Sequence, residues 1–385
     1  MPEPANNLRI LHRKAIYPGI SGGRLRTMNI ARLAREVFGS TRVFSMDNRV
    51  DYEGTIDGIP VIQKKEFHTV VERLGYYAHA MSAREFIVPY TKLAFDNPKN
   101  TLFQIEDPLL YPLLKKEKIS RFILDEHNVN WEIMSLNPEP ELKKQIYRKM
   151  WSGRDRENEK RALKYAAQVL CCSSRDREIF ISEVPGIEDS ISVIPNCVNL
   201  TEYDTIRQST PREKEDKECR ILFVGTLHYP PNNEAVRFIC QIIAARSPDN
   251  YHYIIVGKNP PAIDHPQNVE FAGYITDVRR VIVDADICIA PIRSGSGTRL
   301  KILEYMAMGK PVIATSKGAE GIEYTDGLNI IIEDRIEKYP EIIRQLFDDE
   351  KKRSALGRES VKLIREKYDW ERYRKPLEKI YRGLV

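Results

Sequence analysis

Short apolar runs separated by amphipathic, helix-like stretches recur along nearly the whole chain, and this alternation restricts the fold more than any other feature. In the first half the runs are Leu8 to Ile16, Thr41 to Asp47, Ile59 to Lys65, Thr101 to Glu106, Arg121 to Glu126, Gln168 to Cys172 and Ile191 to Pro195. In the second half they are Arg220 to Gly225, Tyr253 to Gly257, Val269 to Gly273, Ile287 to Pro291, Pro311 to Thr315 and Asn329 to Glu333. Apolar strands with helices between them predict parallel sheets covered on both faces, an α/β doubly wound architecture. Between the two series lies Asn199 to Glu218, with almost nothing apolar after Ile206, which reads as a linker or an exposed excursion. Two domains joined near residue 200 follow. The last stretch sets Trp370, Tyr373, Leu377, Ile380, Tyr381 and Leu384 at helical spacing, so it needs a surface to cover.

A length of 385 residues, 42% of them hydrophobic and 30% charged, fits a globular chain and excludes collagen-like, disulfide-scaffold and disordered classes. No apolar run approaches the roughly 18 residues of a membrane span, and Met1 to Asn7 lacks the apolar core of a signal peptide, so a cytoplasmic protein is expected. A net charge of +5 is too balanced for a dedicated nucleic-acid binder. Cys171, Cys172, Cys197, Cys219, Cys240 and Cys288 show no C-x-x-C spacing and read as small buried hydrophobes.

Ligands of parallel sheets bind beyond the C-terminal strand ends, where helix N-termini offer free N–H groups. The first such loop is Tyr17 to Arg24, whose Gly22 and Gly23 allow close approach to an anion ahead of a helix expected over Leu25 to Phe38. A dinucleotide fingerprint with Asp47 as the ribose acid would use the same loop, but Gly19-x-x-Gly22-Gly23 has the wrong spacing. The most informative stretch is Ala290 to Thr315. A strand ends at Pro291, a Gly-rich turn follows, and a helix from about Thr298 to Met308 stops at Gly309. Gly297, Lys301, Glu304 and Met308 share one stripe of that helix. An anion site near the turn then lies above Glu304, which can accept from vicinal hydroxyls, while Lys301 or Arg299 neutralises phosphate.

These segments resemble a known family. Gly257 after Ile-Ile-Val, Val269 to Gly273, Ala285 to Pro291 and Leu303 to Thr315 are similar to the donor domain of family 4 retaining glycosyltransferases, and Val193 to Asn199 resembles its interdomain crossover. The resemblance implies a GT-B fold: an acceptor-binding domain over residues 1–198, a nucleotide-sugar-binding domain over 199–365, a cleft between them, and a C-terminal helix over 366–385 returning to the first domain. It makes Glu304 the ribose-binding second Glu of an E-x7-E motif and puts Gly22, Gly23, Gly225, Ser296, Gly297 and Thr298 on the donor. Two positions depart from the family pattern. Ser296 stands where the first Glu falls, and Gly225-Thr-Leu-His-Tyr-Pro-Pro-Asn-Asn233 lacks the usual basic pair, which makes Arg299 and Lys301 the substitutes. Glu106 matches a position where some relatives carry His beside the reacting sugar, and His127, in Asp125-Glu-His-Asn-Val129, resembles another cleft histidine.

The function implied is retaining, metal-independent transfer of a sugar from a nucleotide diphosphate sugar to a glycan, glycolipid or other hydroxyl acceptor, with no cofactor. A 2-epimerase of the same fold and a non-catalytic nucleotide- or glycan-binding protein are the alternatives. Asp284-Ala-Asp286 mimics the metal-binding D-x-D of glycosyltransferases with another fold, but lies at a helix-to-strand junction, and no other set has metal-ligand spacing. Residues 141–165 carry nine Lys or Arg against four Asp or Glu around Tyr147, Met150 and Trp151. Such a stretch is a solvated face by default, and a peripheral contact with anionic membrane at its inner face is the sharper reading.

Overall fold

The computed structural model describes residues 6–17, 22–47, 50–65, 91–96, 98–132, 142–207 and 218–385. The chain divides into two units, Met1–Pro195 with Tyr373–Val385, and Asn196–Arg372.

Unit 1 carries an eight-stranded sheet built from β1 (Asn7–Leu11), β2 (Ser40–Asp47), β3 (Tyr52–Ile56), β4 (Ile59–Lys65), β5 (Thr101–Ile105), β6 (Phe122–Glu126), β7 (Gln168–Cys171) and β8 (Ile191–Val193), in the order β3-β4-β2-β1-β5-β6-β7-β8. Every pairing is parallel except β3 with β4. The sequence reading did not anticipate β3. It alternates half-buried and exposed residues on the sheet edge and returns through Asp57-Gly58, both at positive φ, the two-residue turn that matches strand twist. β6 is buried at every position, including Asp125 and Glu126. Carboxylates in so apolar a strand must be paired or protonated, which marks its end as a place of chemistry.

Unit 2 carries β9 (Cys219–Val224), β10 (Tyr251–Val256), β11 (Val269–Gly273), β12 (Ile287–Ala290), β13 (Val312–Ala314) and β14 (Ile331–Ile332), all parallel, in the order β11-β10-β9-β12-β13-β14. All six cysteines are free and buried, as their apolar settings suggested.

Two expectations need adjustment. Residues 200–207 are not linker: they form a helix, Leu200–Arg207, with Leu200 and Tyr203 buried, while 208–217 lie outside the described residues. The helix expected from Leu25 begins at Gly22, so Gly22 and Gly23 are its first turn rather than a loop. In the D-x-D string, Asp286 Oδ2 accepts from the Arg220 N–H at 2.9 Å and secures the start of β9, a structural use in keeping with its helix-to-strand junction.

The C-terminal helix Trp370–Arg382 buries Trp370, Leu377 and Tyr381, and from Tyr373 onward it belongs to unit 1. The basic stretch forms the helix Leu142–Tyr165. Glu141 and the side chains of Tyr147, Met150 and Trp151 lie outside the described residues. In the described part, Arg156 and Lys160 both pair with Glu183, at 2.8 and 2.7 Å. Among the described residues no helix is long and apolar enough to cross a membrane.

Candidate active site

In a doubly wound sheet the ligand crevice opens where the strand order reverses, past the C-terminal strand ends. That reversal falls between β1 and β5 in unit 1 and between β9 and β12 in unit 2. Both points carry clustered polar side chains.

In unit 1, Glu106 follows β5 directly, and its N–H is held by the Leu11 carbonyl at 3.0 Å. Its carboxylate is buried and accepts from three side chains: Gln104 Nε2 at 2.7 Å on Oε1, and on Oε2 Thr27 Oγ1 at 2.8 Å and His127 Nε2 at 2.9 Å. His127, one residue past β6, also lies 3.6 Å from Asp125 Oδ2. Asp125 is clamped from its other side by Arg26, whose Nη2 reaches Oδ1 at 2.6 Å and whose Nε reaches Oδ2 at 2.9 Å. The remaining guanidinium nitrogen, Nη1, donates to the Ile194 carbonyl at 2.6 Å.

The charges order themselves accordingly. Burial opposes a charged His127, yet its hydrogen bonds and ion pairing with Asp125 and Glu106 win and raise its pKa to about 9. Burial also works against an ionised Asp125, but the Arg26 charge holds its carboxyl well below the usual range. Glu106 is pushed up by burial and by Asp125, with His127 and Gln104 pulling the other way. At neutral pH His127 is therefore an imidazolium, a hydrogen-bond donor and cation rather than a base. Nearby, burial and the His127 charge lower His12 to about 4 and keep it neutral.

Glu106, Asp125 and His127 also set ligand atoms within 4.8 Å of one another. Spacing along the chain hid this grouping because its members end adjacent strands. Both Asp125 oxygens are engaged by Arg26 and His127 Nε2 by Glu106, so the set forms a charge network complete in itself.

Gly23 supports the same residues. A Cβ at this position would sit 2.9 Å from His127 Nδ1. Alanine there gains about 1 kcal/mol of helix propensity but must displace the ring. If His127 acts on a substrate, Gly23→Ala should keep its melting temperature while losing at least about tenfold in turnover, since small misplacements of a reacting group cost that much. Unchanged turnover would remove His127 from the reacting set.

In unit 2, the segment after β12 runs through Gly295 and Gly297, both at positive φ, into the helix Leu300–Ala307. Arg299 spends its guanidinium on this turn: Nη1 donates to the carbonyls of Ser296 and Gly297, and Nη2 to that of Ser294 at 3.1 Å. It braces the loop. Among the described residues Ser296 Oγ and Thr298 Oγ1 are buried without a hydrogen-bond partner, and such groups cost stability unless something satisfies them.

Lys301 sits one turn on. Its Nζ donates to Asn232 Oδ1 at 2.8 Å and lies 4.2 Å from the centre of the Phe223 ring. Burial, seconded by the Arg299 charge and opposed by Glu304, lowers Lys301 to about 7. Gly225, at the end of β9, leaves room for it, because a Cβ there would meet Nζ at 2.8 Å and Asn232 Nδ2 at 2.9 Å. Glu304 Oε1 accepts from Tyr203 Oη at 3.0 Å, and burial raises the Glu304 pKa against that bond.

Arg26, Thr27, Gln104, Tyr203 and Asn232 were not singled out from the sequence. Tyr203 was hidden in the presumed linker, and Arg26 looked like an ordinary helix residue.

Residues 218–349 match the family described as Glycosyl transferases group 1. A GDP-mannose-dependent monoacylated alpha-(1-6)-phosphatidylinositol monomannoside mannosyltransferase from Corynebacterium glutamicum is 27% identical over 206 residues, covering 46% of this chain and 54% of that protein. The chain thus spans about half the length of the curated relative it matches. Among solved structures, Anabaena Alr3699/HepE in complex with UDP and glucose is 14% identical with a TM-score of 0.66, over 98% of this chain and 99% of that one. Sucrose-phosphate synthase from Thermosynechococcus elongatus gives 0.68 at 14% identity, over 98% and 99%. The two parallel-sheet α/β units are those of the GT-B fold.

Proposed function

We propose that the chain is a metal-independent, retaining glycosyltransferase that moves a sugar from a nucleoside diphosphate sugar to a hydroxyl of a glycan or lipid-linked acceptor. The observation that carries this reading is the turn Ser294 to Thr298, where two buried hydroxyls lack partners beside a lysine that can gain a proton and a carboxylate one helical turn away. A diphosphate answers the first two, and a ribose the third. Glu304 accepts from ribose hydroxyls through the oxygen that Tyr203 leaves open. Lys301, the N–H groups of the turn and the hydroxyls of Ser296 and Thr298 receive the diphosphate and sugar, with Gly225 giving clearance. Arg299 keeps the turn in shape.

In unit 1, Gly22 and Gly23 open a helix whose N–H groups face an anion, and His127 and Glu106 handle the acceptor and the sugar. The bond from the sugar's anomeric carbon to the leaving phosphate breaks, the acceptor oxygen bonds to the same face, and a departing phosphate oxygen takes the acceptor's proton. Cations and N–H dipoles then stabilise the leaving charge without a metal. The mannosyltransferase relative is named for a lipid-linked acceptor and the HepE complex holds UDP and glucose, which supports a nucleotide-sugar donor and a lipid-linked acceptor.

A panel of UDP- and GDP-sugars with glycan and lipid acceptors, followed by mass spectrometry in EDTA, tests the proposal. One donor should yield a glycosylated acceptor whose new linkage keeps the donor's anomeric configuration. Glu304→Gln should weaken nucleoside diphosphate binding at least about tenfold, because charge-assisted bonds to the ribose are lost. Epimer or free nucleotide released without acceptor would favour the epimerase. Nucleotide binding without turnover would favour a binding protein, and activity lost in EDTA but restored by Mn²⁺ would end metal independence.

A further inference from the structure

The buried carboxylate of Glu106 is tied to the C-terminal helix through one intermediary. Tyr381, fully buried on that helix, donates from Oη to Gln104 Oε1 at 2.8 Å, and Gln104, fully buried on β5, donates from Nε2 to Glu106 Oε1 at 2.7 Å. Gln104 and Glu106 are two positions apart, Tyr381 is 277 positions from Gln104, and all three meet in unit 1. The chain of bonds has a direction. An ionised carboxylate only accepts, so Gln104 must turn its NH2 toward Glu106 and its carbonyl toward Tyr381, which must then donate. If the amide were reversed, its carbonyl would face Glu106, which could bond to it only as the protonated acid.

We propose that Tyr381 is a positioning residue: by fixing the orientation of the Gln104 amide it keeps Glu106 ionised, and through Glu106 it keeps His127 protonated. The role as positioner of a working pair rests on the transferase reading of Glu106 and His127, while the electrostatic effect does not. Tyr381 is suited to donate, because burial and the negative charges of Glu106 and Asp125 hold its hydroxyl proton firmly in place. The other polar groups facing Glu106 are Thr27, His127, Asp125 and Arg26, and those facing His127 are Glu106, Asp125 and His12. Thr27, His127, Asp125, Arg26 and His12 make no bond to Gln104 among the described contacts, so the amide's orientation is held by Glu106 at one end and Tyr381 at the other.

Replacing Tyr381 by Phe leaves the Gln104 carbonyl buried without a donor. The amide is then free to reverse, Glu106 binds a proton more readily, and His127 loses part of the negative charge that sustains it. The His127 pKa should drop from about 9 toward its ordinary value. NMR titration of the histidine ring in the full chain, with the His127 signal identified by its absence in His127→Gln, reads this directly. Tyr381→Phe should lower the midpoint by about one pH unit, the size of one charge-assisted bond. Gln104→Met should do the same, and the double variant no more than either, because the two act in series.

Phe38 packs edge-on against the Tyr381 ring, with centroids 5.3 Å apart. Phe38→Leu should cost stability yet leave the midpoint in place. An unchanged midpoint in Tyr381→Phe, additive shifts in the double variant, or an equal shift in Phe38→Leu would each overturn the proposal. No substrate is needed, so the titration can fail while sugar transfer is found, and can succeed where none is. Where transfer is measured, the alkaline limb of kcat in Tyr381→Phe should move down by the same interval.

Discussion

Arg26→Met should destabilise unit 1 by about 3–5 kcal/mol, the usual cost of stripping one partner from a buried ion pair, which corresponds to a fall of roughly 6–20 °C in melting temperature. Arg26 and Asp125 are almost wholly inaccessible, at 1% and 0% side-chain exposure, and their contact is bidentate. Without the guanidinium, Asp125 is left as a bare carboxylate between His127 and Glu106, and the Ile194 carbonyl loses its donor. Arg26→Met with Asp125→Leu removes both charges and should recover much of the loss, since a buried pair is worth little against an apolar replacement of similar volume.

The dependence on pH has a definite sign. Asp125 titrates below its unfolded value, so its contribution is complete above the ordinary carboxylate range and disappears as pH falls below about 4. His127 titrates above its unfolded value, so its contribution is complete below about pH 6.5 and is lost as pH rises through about 9. The gap between wild type and Arg26→Met should thus be fully open above the ordinary carboxylate range and narrow steadily in acid, and it should not shrink as His127 loses its proton, because the variant leans on that imidazolium more than the wild type does. A gap that does not narrow as pH falls below about 4, or a double variant no more stable than Arg26→Met, would show that Arg26 acts through packing alone.

Much of the fold was legible because parallel strands buried on both faces read as uninterrupted apolar runs. The edge strand Tyr52–Ile56 was missed for the same reason: it is half exposed, and only Asp57-Gly58 announces it. The helix Leu200–Arg207 was missed because two buried residues, Leu200 and Tyr203, rather than a full apolar stripe, hold it against unit 2. For the sites, the strand-end rule pointed to Glu106, Gly225 and the turn of Ser296 to Thr298, which follow strands flanking the reversal points, and to His127, which follows the neighbouring β6. What it could not give was which cation answers which charge. Arg299 and Lys301 are two residues apart and looked equivalent, yet one bends back onto three loop carbonyls while the other points at Asn232. Likewise the pairing of Arg26 with Asp125 spans 99 positions, beyond any periodicity.

Binding of a nucleoside diphosphate sugar should draw a proton from solution, and its affinity should fall as pH rises above 7. The argument turns on Lys301. Burial and the Arg299 charge bring it to about 7, so near pH 8 most molecules carry a neutral amine held to Asn232. A diphosphate beside Nζ adds the opposite charge and favours the ammonium, so the bound state keeps a proton that the free state has released. Linkage then requires affinity to drop by up to about tenfold per pH unit above 7, until the raised pKa of the complex is reached. Uptake should approach one proton per ligand near pH 8 and vanish near pH 6. The intact nucleotide sugar is the proper probe, because its diphosphate is esterified at both ends and lacks the terminal phosphate proton that titrates near about pH 6. Calorimetry in two buffers of different ionisation heat measures the uptake. Lys301→Met should abolish both the uptake and the slope, and at pH 6 should weaken binding by at least about tenfold through loss of a charge-assisted contact. Lys301→Arg should bind with no slope, since a guanidinium does not titrate in this range. Tight binding by wild type with neither uptake nor slope would mean that the diphosphate is met by the N–H groups of the turn alone, and Lys301 would then be a structural lysine whose place is fixed by Asn232 and the Phe223 ring.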